Sequence, residues 1–244
     1  MSTTTLRVGL LDSVFELRGP AGTLAEIGRL LPASPIQPDD PALIIGVGAH
    51  ESVVEALTVL NMTAIAQCRS FAVHAGVVST PAGAIAFPAA SGGGKSTITA
   101  ACLLAGFDYL SDEALVVDWD AATVRPYPKW LSLSPWSAQH VGLAPRVGVE
   151  RVYTAGELSA KVAPAGLPLA HVVLLRRTGG PPRLEPVSRA LAAHHLLTMS
   201  FNHYQRPEPA FSLVCELVRG ASAWVLELDG GPEAATLLRR ELSA

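Results

Sequence analysis

A glycine-rich segment near the middle of the chain joins an apolar strand-like stretch to an apolar helix-like stretch. It reads Ala89-Ala90-Ser91-Gly92-Gly93-Gly94-Lys95-Ser96-Thr97. Its glycines remove side chains that would keep backbone N–H groups from converging on one ligand. The helix that follows ends at Gly106, and its positive N-terminal end faces the loop. The order of strand, loop and helix therefore predicts an α/β fold with an anion-binding site at this loop.

Such a segment is typical of a phosphate-binding loop, or P-loop, of a nucleotide-binding protein. Lys95 would reach the β and γ phosphates of ATP as a point charge, and the Ser96 hydroxyl would ligate Mg²⁺. The predicted nucleotide-binding residues are Ala90, Ser91, Gly92, Gly93, Gly94, Lys95, Ser96 and Thr97. Ala89 stands where the usual pattern has its first glycine, which leaves a flexible glycine-rich turn as the alternative.

The strand before the loop is predicted to belong to a hairpin. Residues 71–79 and 84–87 are apolar and flank a short Pro-Ala-Gly turn. In most P-loop proteins this strand belongs to a parallel array whose neighbours are reached through crossover helices. A hairpin at this place predicts a mixed sheet.

Two domains are expected, a small N-terminal α+β appendage over residues 1–69 and a P-loop domain over 70–244. The appendage is predicted to contain a hairpin at 6–17, a helix at 22–31, a loop at 32–40, a strand at 42–47 and a helix at 51–68. The larger domain is predicted to continue with strands at 107–110, 114–120 and 171–175, helices at 187–203 and 207–219, a strand at 223–228 and a helix from Pro232. Residues 121–170 are rich in loops and prolines.

Composition and charge argue against some classes of partner. The chain has 244 residues, a net charge of −3 and no cluster of Lys and Arg, which argues against a nucleic-acid groove. No apolar run approaches the ~18 residues of a membrane helix, and the N-terminus lacks the pattern of a secretory signal. We expect a cytoplasmic protein with no membrane or nucleic-acid partner. Three scattered cysteines are expected to be reduced core thiols, Cys68, Cys102 and Cys215.

Asp112 and Glu113 form an acidic pair at the junction of two apolar strands. A P-loop kinase needs one carboxylate near Mg²⁺ and often another to accept the proton of the attacking hydroxyl. The alternative is an ordinary polar turn. Lys129, Arg176 and Arg177 could add positive charge near the acceptor, although exposed arginines at strand ends are usually solvated.

His74 lies on the hairpin strand beside the one that enters the loop, so it could approach the phosphates. A lone histidine in a strand is more often a hydrogen-bonded core residue. Its spacing alone favours that second interpretation.

Three segments together resemble one family. His74-Ala75-Gly76, the loop from Ala90 to Thr97, and Leu110-Ser111-Asp112-Glu113 are similar to motifs of the HPr kinase/phosphorylase catalytic domain. The resemblance is greatest to short HPr-kinase-like serine kinases, including lasso-peptide precursor kinases, which also carry a segment similar to Arg125-Pro126-Tyr127-Pro128-Lys129. It covers about residues 70–180 clearly and the rest in general layout.

The resemblance implies a mixed-sheet core of the HPr kinase and phosphoenolpyruvate carboxykinase type, with Mg²⁺-ATP in the loop. By matching positions, it implies catalytic roles for His74 near the transferring phosphate, Asp112 near the metal, and Glu113 where the family has its acid/base carboxylate. Lys95, as a further catalytic residue, and Ser96, as a metal ligand, follow from the loop pattern itself. Which of the two acids takes the proton stays open, because Glu113 stands where the bifunctional enzymes have a second Asp. Leu131-Ser132-Leu133-Ser134 replaces their Arg-Gly-Leu-Gly-type signature, so phosphorolysis and HPr itself as acceptor also stay open.

The sequence thus predicts an ATP-dependent kinase acting on a serine- or threonine-type hydroxyl of a peptide, a carrier protein or a small metabolite. The alternative is a nucleotide-binding regulatory or scaffold module without transfer activity. The acceptor, the exact phosphoryl donor and the oligomeric state do not follow from the sequence.

Overall fold

The structure, a computed structural model, describes residues 4–31, 40–48, 52–144 and 151–243. The chain folds as two compact units, Met1–Arg69 and Ser70–Ala244. In the described ranges, no helix is long and apolar enough to cross a membrane.

The described residues of the first unit form a three-stranded sheet and two helices. Its elements are β1 (Thr4–Leu10), β2 (Ser13–Gly19), α1 (Ala21–Leu30), β3 (Ala42–Gly46) and α2 (Val53–Ala66). The predicted hairpin is present as the antiparallel pair β1 and β2, and β3 lies parallel to β2. Helix α2 begins with a capping box, in which the side chains of Ser52 and Glu55 satisfy each other's backbone N–H groups. Residues 32–39 of the loop predicted at 32–40, and the predicted helix start at Glu51, lie outside the described residues.

The second unit contains the remaining elements. They are β4 (Phe71–Thr80), β5 (Gly83–Pro88), α3 (Lys95–Leu104), β6 (Asp108–Ser111), β7 (Ala114–Val117), β8 (Val124–Arg125), β9 (Leu131–Leu133), α4 (Pro135–His140), β10 (Arg151–Tyr153), β11 (Leu169–Arg177), β12 (Arg183–Pro186), α5 (Arg189–Thr198), α6 (Pro207–Gly220), β13 (Ser222–Leu228) and α7 (Gly231–Leu242).

The main sheet of this unit is mixed. The described strands run in the order β12-β13-β11-β5-β4-β7-β8, and β6 also pairs with β4. Strands β5, β11 and β13 are mutually parallel, whereas β4 is antiparallel to β5, β6 and β7. The predicted α/β class with a mixed sheet is therefore confirmed.

Helices cover both faces of this sheet. Ile98 and Leu103 of α3 and Leu238 of α7 are buried in one core cluster. Leu196 of α5 and Val214 of α6 are buried in the other. Because adjacent side chains of a strand point to opposite faces, apolar residues along β4 supply both clusters.

Two elements end earlier than the sequence predicts, and one strand was not predicted. The helix expected at 187–203 ends at Thr198, since the next backbone groups bond to β4: Met199 O accepts from His74 N, and Phe201 N donates to Ala72 O. The strand expected at 114–120 ends at Val117, because the Asp118 carboxylate accepts backbone N–H groups and forms a turn. Strand β12 was not predicted, since it is only four residues long, and three of the four are exposed.

Candidate active site

Strand directions bring four segments to one edge of the sheet. Strand β4 is antiparallel to β5, and Ala75 pairs with Pro88, so His74 lies where β5 enters the glycine-rich loop. Strand β11 is parallel to β5, and its C-terminal end therefore reaches the same edge. Strand β7 pairs with β4 with Ala114 opposite His74, which places Glu113 beside the histidine.

The glycine-rich loop, residues 89–94, has a backbone that glycine permits and other residues disfavour. Gly92 has φ 77° and Gly94 has φ 95°, both in the left-handed region. A Cβ on Gly93 would lie 2.8 Å from the Ala89 Cβ. Ala89 is not among the residues with positive φ, and its N–H donates to the His74 carbonyl at 3.3 Å. The position where the usual pattern has its first glycine thus requires no glycine here.

Lys95 is the first residue of α3 and is buried, with 6% of its surface exposed. Its Nζ donates to the Ala90 carbonyl at 3.0 Å. Burial lowers the pKa of the Lys95 ammonium, and the negative charges of Glu113 and Asp112 oppose that shift. The lysine is therefore held inside the loop and close to the acidic pair.

A cleft of about 470 Å³ opens at this edge. It is lined by nine of the predicted site residues, His74, Ser91, Gly92, Gly94, Lys95, Ser96, Thr97, Asp112 and Glu113. Ala90 and Gly93 belong to the loop but are not part of this lining. Another cavity of about 520 Å³ lies elsewhere in the unit, beside Asp108 and Arg239, and has neither the glycine-rich loop nor the acidic pair.

The two acids have different environments. The side chain of Asp112 is 3% exposed, and its Oδ1 lies 2.8 Å from Lys129 Nζ. The side chain of Glu113 is 26% exposed, and its Oε2 lies 3.7 Å from the same Nζ. Glu113 is thus the more accessible carboxylate, whereas Asp112 is neutralised by a buried lysine.

Tyr109 completes the surroundings of Asp112. Its buried hydroxyl lies 2.9 Å from the Lys129 carbonyl oxygen and 3.3 Å from Asp112 Oδ1. Burial and the Asp112 charge raise the pKa of Tyr109, so the phenol stays neutral and can donate a hydrogen bond. This network fixes the Asp112–Lys129 pair at the wall of the cleft, with Asp112 in the lining and Lys129 behind it.

His74 faces Glu113. Its Nε2 lies 3.5 Å from Glu113 Oε1, and its ring centroid lies 5.3 Å from that of Phe201. Burial, followed by the charge of Lys95, lowers the pKa of His74 to about 4. The imidazole is therefore neutral at neutral pH, and its contact with Glu113 is polar and not an ion pair.

Ser134 and Ser137 also line the cleft but are not among the site residues predicted from the sequence. Thr97 donates from Oγ1 to Ser137 Oγ at 2.9 Å, and Ser137 Oγ lies 2.9 Å from the Ser134 hydroxyl. Ser134 caps α4 ahead of Pro135, a local signal that the sequence does contain. Nothing local indicates that α4 lies against α3.

The three additional cations that the sequence suggested have different contacts. Lys129 is committed to Asp112, and Arg176 pairs with Glu227 at 3.1 Å, but Arg177 lines the cleft. In the described parts of the chain, no three His, Cys, Asp or Glu side chains form a group that could hold a metal ion.

No protein-family model matches the chain, and no curated protein matches it.

Proposed function

We propose that the protein is an ATP-dependent kinase of the HPr-kinase-like type, which transfers the γ-phosphoryl group to a serine- or threonine-type hydroxyl. The acceptor belongs to a peptide, a carrier protein or a small metabolite. The observation that carries the proposal is the cleft in which the glycine-rich loop and Lys95 face His74 and Glu113. The sequence resemblance supports the same activity.

The loop suits a chain of phosphates. The first N–H groups of α3 have no partner within the helix, and the glycines before them place no Cβ over these groups. A bound polyphosphate would add negative charge beside Lys95 and so favour its ammonium form. Lys95 would then exchange the Ala90 carbonyl for phosphate oxygens.

The residues present are also compatible with Mg²⁺. Mg²⁺ in such sites is usually held by one or two protein oxygens, with phosphates and water completing its shell, so a cluster of three acidic ligands is not required. Ser96 and Asp112 would supply those oxygens. The ion would neutralise charge on the phosphate oxygens.

Glu113 is the carboxylate best suited to accept the proton. In the proposed step the acceptor oxygen forms a bond to the γ phosphorus, the bond from that phosphorus to the bridging oxygen breaks, and the hydroxyl proton passes to Glu113. Neutral His74, 3.5 Å from Glu113, would help to orient it. Asp112 is less suited, because Lys129 already occupies its Oδ1.

The buried Asp112–Lys129 pair favours a second candidate, a nucleotide-binding regulatory module without transfer activity. A carboxylate engaged by an internal ammonium at 2.8 Å is a weaker partner for a metal ion. Such a protein would bind Mg²⁺-ATP in the same loop and release it unchanged.

One experiment distinguishes the kinase from the regulatory module. The purified protein is incubated with Mg²⁺-ATP and with serine- and threonine-containing peptides, a small carrier protein or free hydroxylated metabolites, and Lys95→Met is the matched control. A phosphorylated acceptor that forms with the wild type and not with Lys95→Met supports the kinase. Nucleotide binding without transfer to any acceptor would favour the regulatory module.

A further inference from the structure

Arg177 differs from the other cations around the cleft. Lys95 donates to a loop carbonyl, and Lys129 pairs with Asp112. Arg177 is the last residue of β11, it is exposed, and no ion pair with a carboxylate is found for it among the described residues. Its charge is therefore available to a ligand in the cleft.

The guanidinium stands over the start of α3. A Cβ added to Gly94 would lie 3.6 Å from Arg177 Nη2 and 4.0 Å from its Nε. Gly94 is the cap residue of α3, directly before the unpaired N–H groups of the first helical turn. Arg177 thus adds a positive charge where the backbone already favours an anion.

An aromatic ring on the other wall of the cleft holds this arginine. Arg177 Cζ lies 5.2 Å from the ring centroid of Trp136, within the range of a cation–π contact. Trp136 belongs to α4 and is 43% exposed, and its ring stacks on His140 at 3.6 Å. The stacking limits the orientations of the indole, and the indole in turn limits those of the guanidinium.

We propose that Arg177 binds non-bridging oxygens of the nucleotide's phosphate chain and that Trp136 is its positioning residue. The inference rests on the proposed function, since it assumes that the loop receives a nucleotide. A guanidinium presents a planar fork of donors that matches phosphate oxygens, which a lysine ammonium does not.

The neighbouring arginine provides a matched control. Arg176 precedes Arg177 on the same strand and therefore points to the opposite face. It pairs with Glu227 at 3.1 Å and does not line the cleft. Removing the Arg176 charge changes the net charge of the protein by the same amount as removing the Arg177 charge, but it does not alter the cleft.

The test is calorimetric titration with Mg²⁺-ATP. Arg177→Gln should weaken binding by about tenfold to a hundredfold, the loss expected for hydrogen bonds to a charged group. Arg177→Lys should retain part of the affinity, and Arg176→Gln should match the wild type. Melting temperatures without nucleotide show that each variant is folded, and Arg177→Gln should be unchanged because the side chain is exposed.

Trp136 is tested in the same assay. Trp136→Leu should weaken binding in the same direction as Arg177→Gln, and Trp136→Phe should retain most of the affinity because its ring preserves the cation–π contact. In the Arg177→Gln background, Trp136→Leu should not weaken Mg²⁺-ATP binding any further, since a positioning residue acts through its partner. Additive losses would overturn the positioning role.

Wild-type affinity in both Arg177→Gln and Arg177→Lys would overturn the inference and leave the proposed function standing. Failure of the wild type to bind Mg²⁺-ATP would overturn both.

Discussion

Asp112 and Glu113 are adjacent in the sequence and both line the cleft, yet only the Glu113 side chain is appreciably exposed. The Asp112 carboxylate and the Lys129 ammonium are both almost completely buried at 2.8 Å from each other, whereas about a quarter of the Glu113 side chain is exposed. Removing one partner of a buried ion pair leaves an uncompensated charge, which costs roughly 3 to 5 kcal/mol. The structure therefore separates a stabilising acid from an accessible one.

We expect the two acids to respond differently to substitution. Glu113→Gln should lower phosphoryl transfer by about 10² to 10⁴ with nucleotide affinity retained, as for the loss of a general base. Asp112→Asn should instead lower the free energy of unfolding, and so should Lys129→Met. Single-turnover assays and denaturant unfolding measure the two effects.

The double variant Asp112→Asn/Lys129→Met provides the control for this prediction. Its loss of unfolding free energy should be smaller than the sum of the losses in the two single variants, because neither buried charge remains. Full transfer activity in Glu113→Gln, or wild-type stability in Asp112→Asn, would contradict these assignments.

His74 gives a prediction about pH. Its folded-state pKa of about 4 lies below the unfolded value near 6.5, so between these values the unfolded chain binds more protons. His74 therefore makes stability fall as the pH drops from about 6.5 to about 4, by at most about 3 kcal/mol. His74→Gln should reduce this slope and should also lower phosphoryl transfer.

His171→Gln is the comparison variant. Burial also lowers the pKa of His171, which lies on β11 and accepts a hydrogen bond from Trp224 Nε1, outside the cleft lining. Its substitution should reduce the pH dependence of unfolding but leave transfer unchanged. If His74→Gln changed only stability and left transfer intact, His74 would be a core residue and not part of the site.

At the scale of elements, the close approach of β4 to α3 holds the glycine-rich loop in place. A Cβ on Gly76 would lie 2.3 Å from Thr99 Oγ1 and 3.3 Å from the Lys95 carbonyl oxygen. The Thr99 hydroxyl is buried and has no hydrogen-bond partner among the described residues. Glycine at position 76 thus sets the distance between the sheet and the helix that carries Lys95.

Gly76→Ala should lower the free energy of unfolding by roughly 1 to 3 kcal/mol, the usual cost of overpacking. Thr99→Ala removes the atom that the new Cβ would meet, so the double variant should recover part of this loss relative to Thr99→Ala alone. Denaturant unfolding of the four proteins measures the recovery. An equal effect of Gly76→Ala in both backgrounds would show that Thr99 does not cause the clash.

Local signals explain why most elements were predictable. The triple glycine with Lys95, the left-handed Gly106 after α3, and the proline in the first turn of α7 are read directly from the sequence. The C-terminal end of α5 could not be predicted from the sequence, because the backbone groups of Met199 and Phe201 form hydrogen bonds with β4. Tertiary hydrogen bonds decided that boundary, and they have no local signature.

At the scale of the whole molecule, the site depends on strand order. The sequence indicated His74, Lys95, Asp112 and Glu113 separately, and the family resemblance suggested that they share a site. Their meeting at one edge follows from the antiparallel pairing of β4 with β5 and β7. The Lys129 contact and the position of α4 come from segments that local patterns leave unassigned.

Calorimetric titration of Mg²⁺-ATP into the wild type, Lys95→Ala and Lys161→Ala tests directly whether the glycine-rich loop binds a nucleotide. Lys161 is exposed and outside the cleft lining, so its substitution controls for the loss of one positive charge. We predict that the wild type and Lys161→Ala bind alike and that Lys95→Ala binds about thirtyfold more weakly or worse, because removing a buried charge partner costs on the order of 2 kcal/mol or more. Equal affinity in all three proteins, or no binding by the wild type, would contradict the assignment of residues 89–97 as a nucleotide-binding loop.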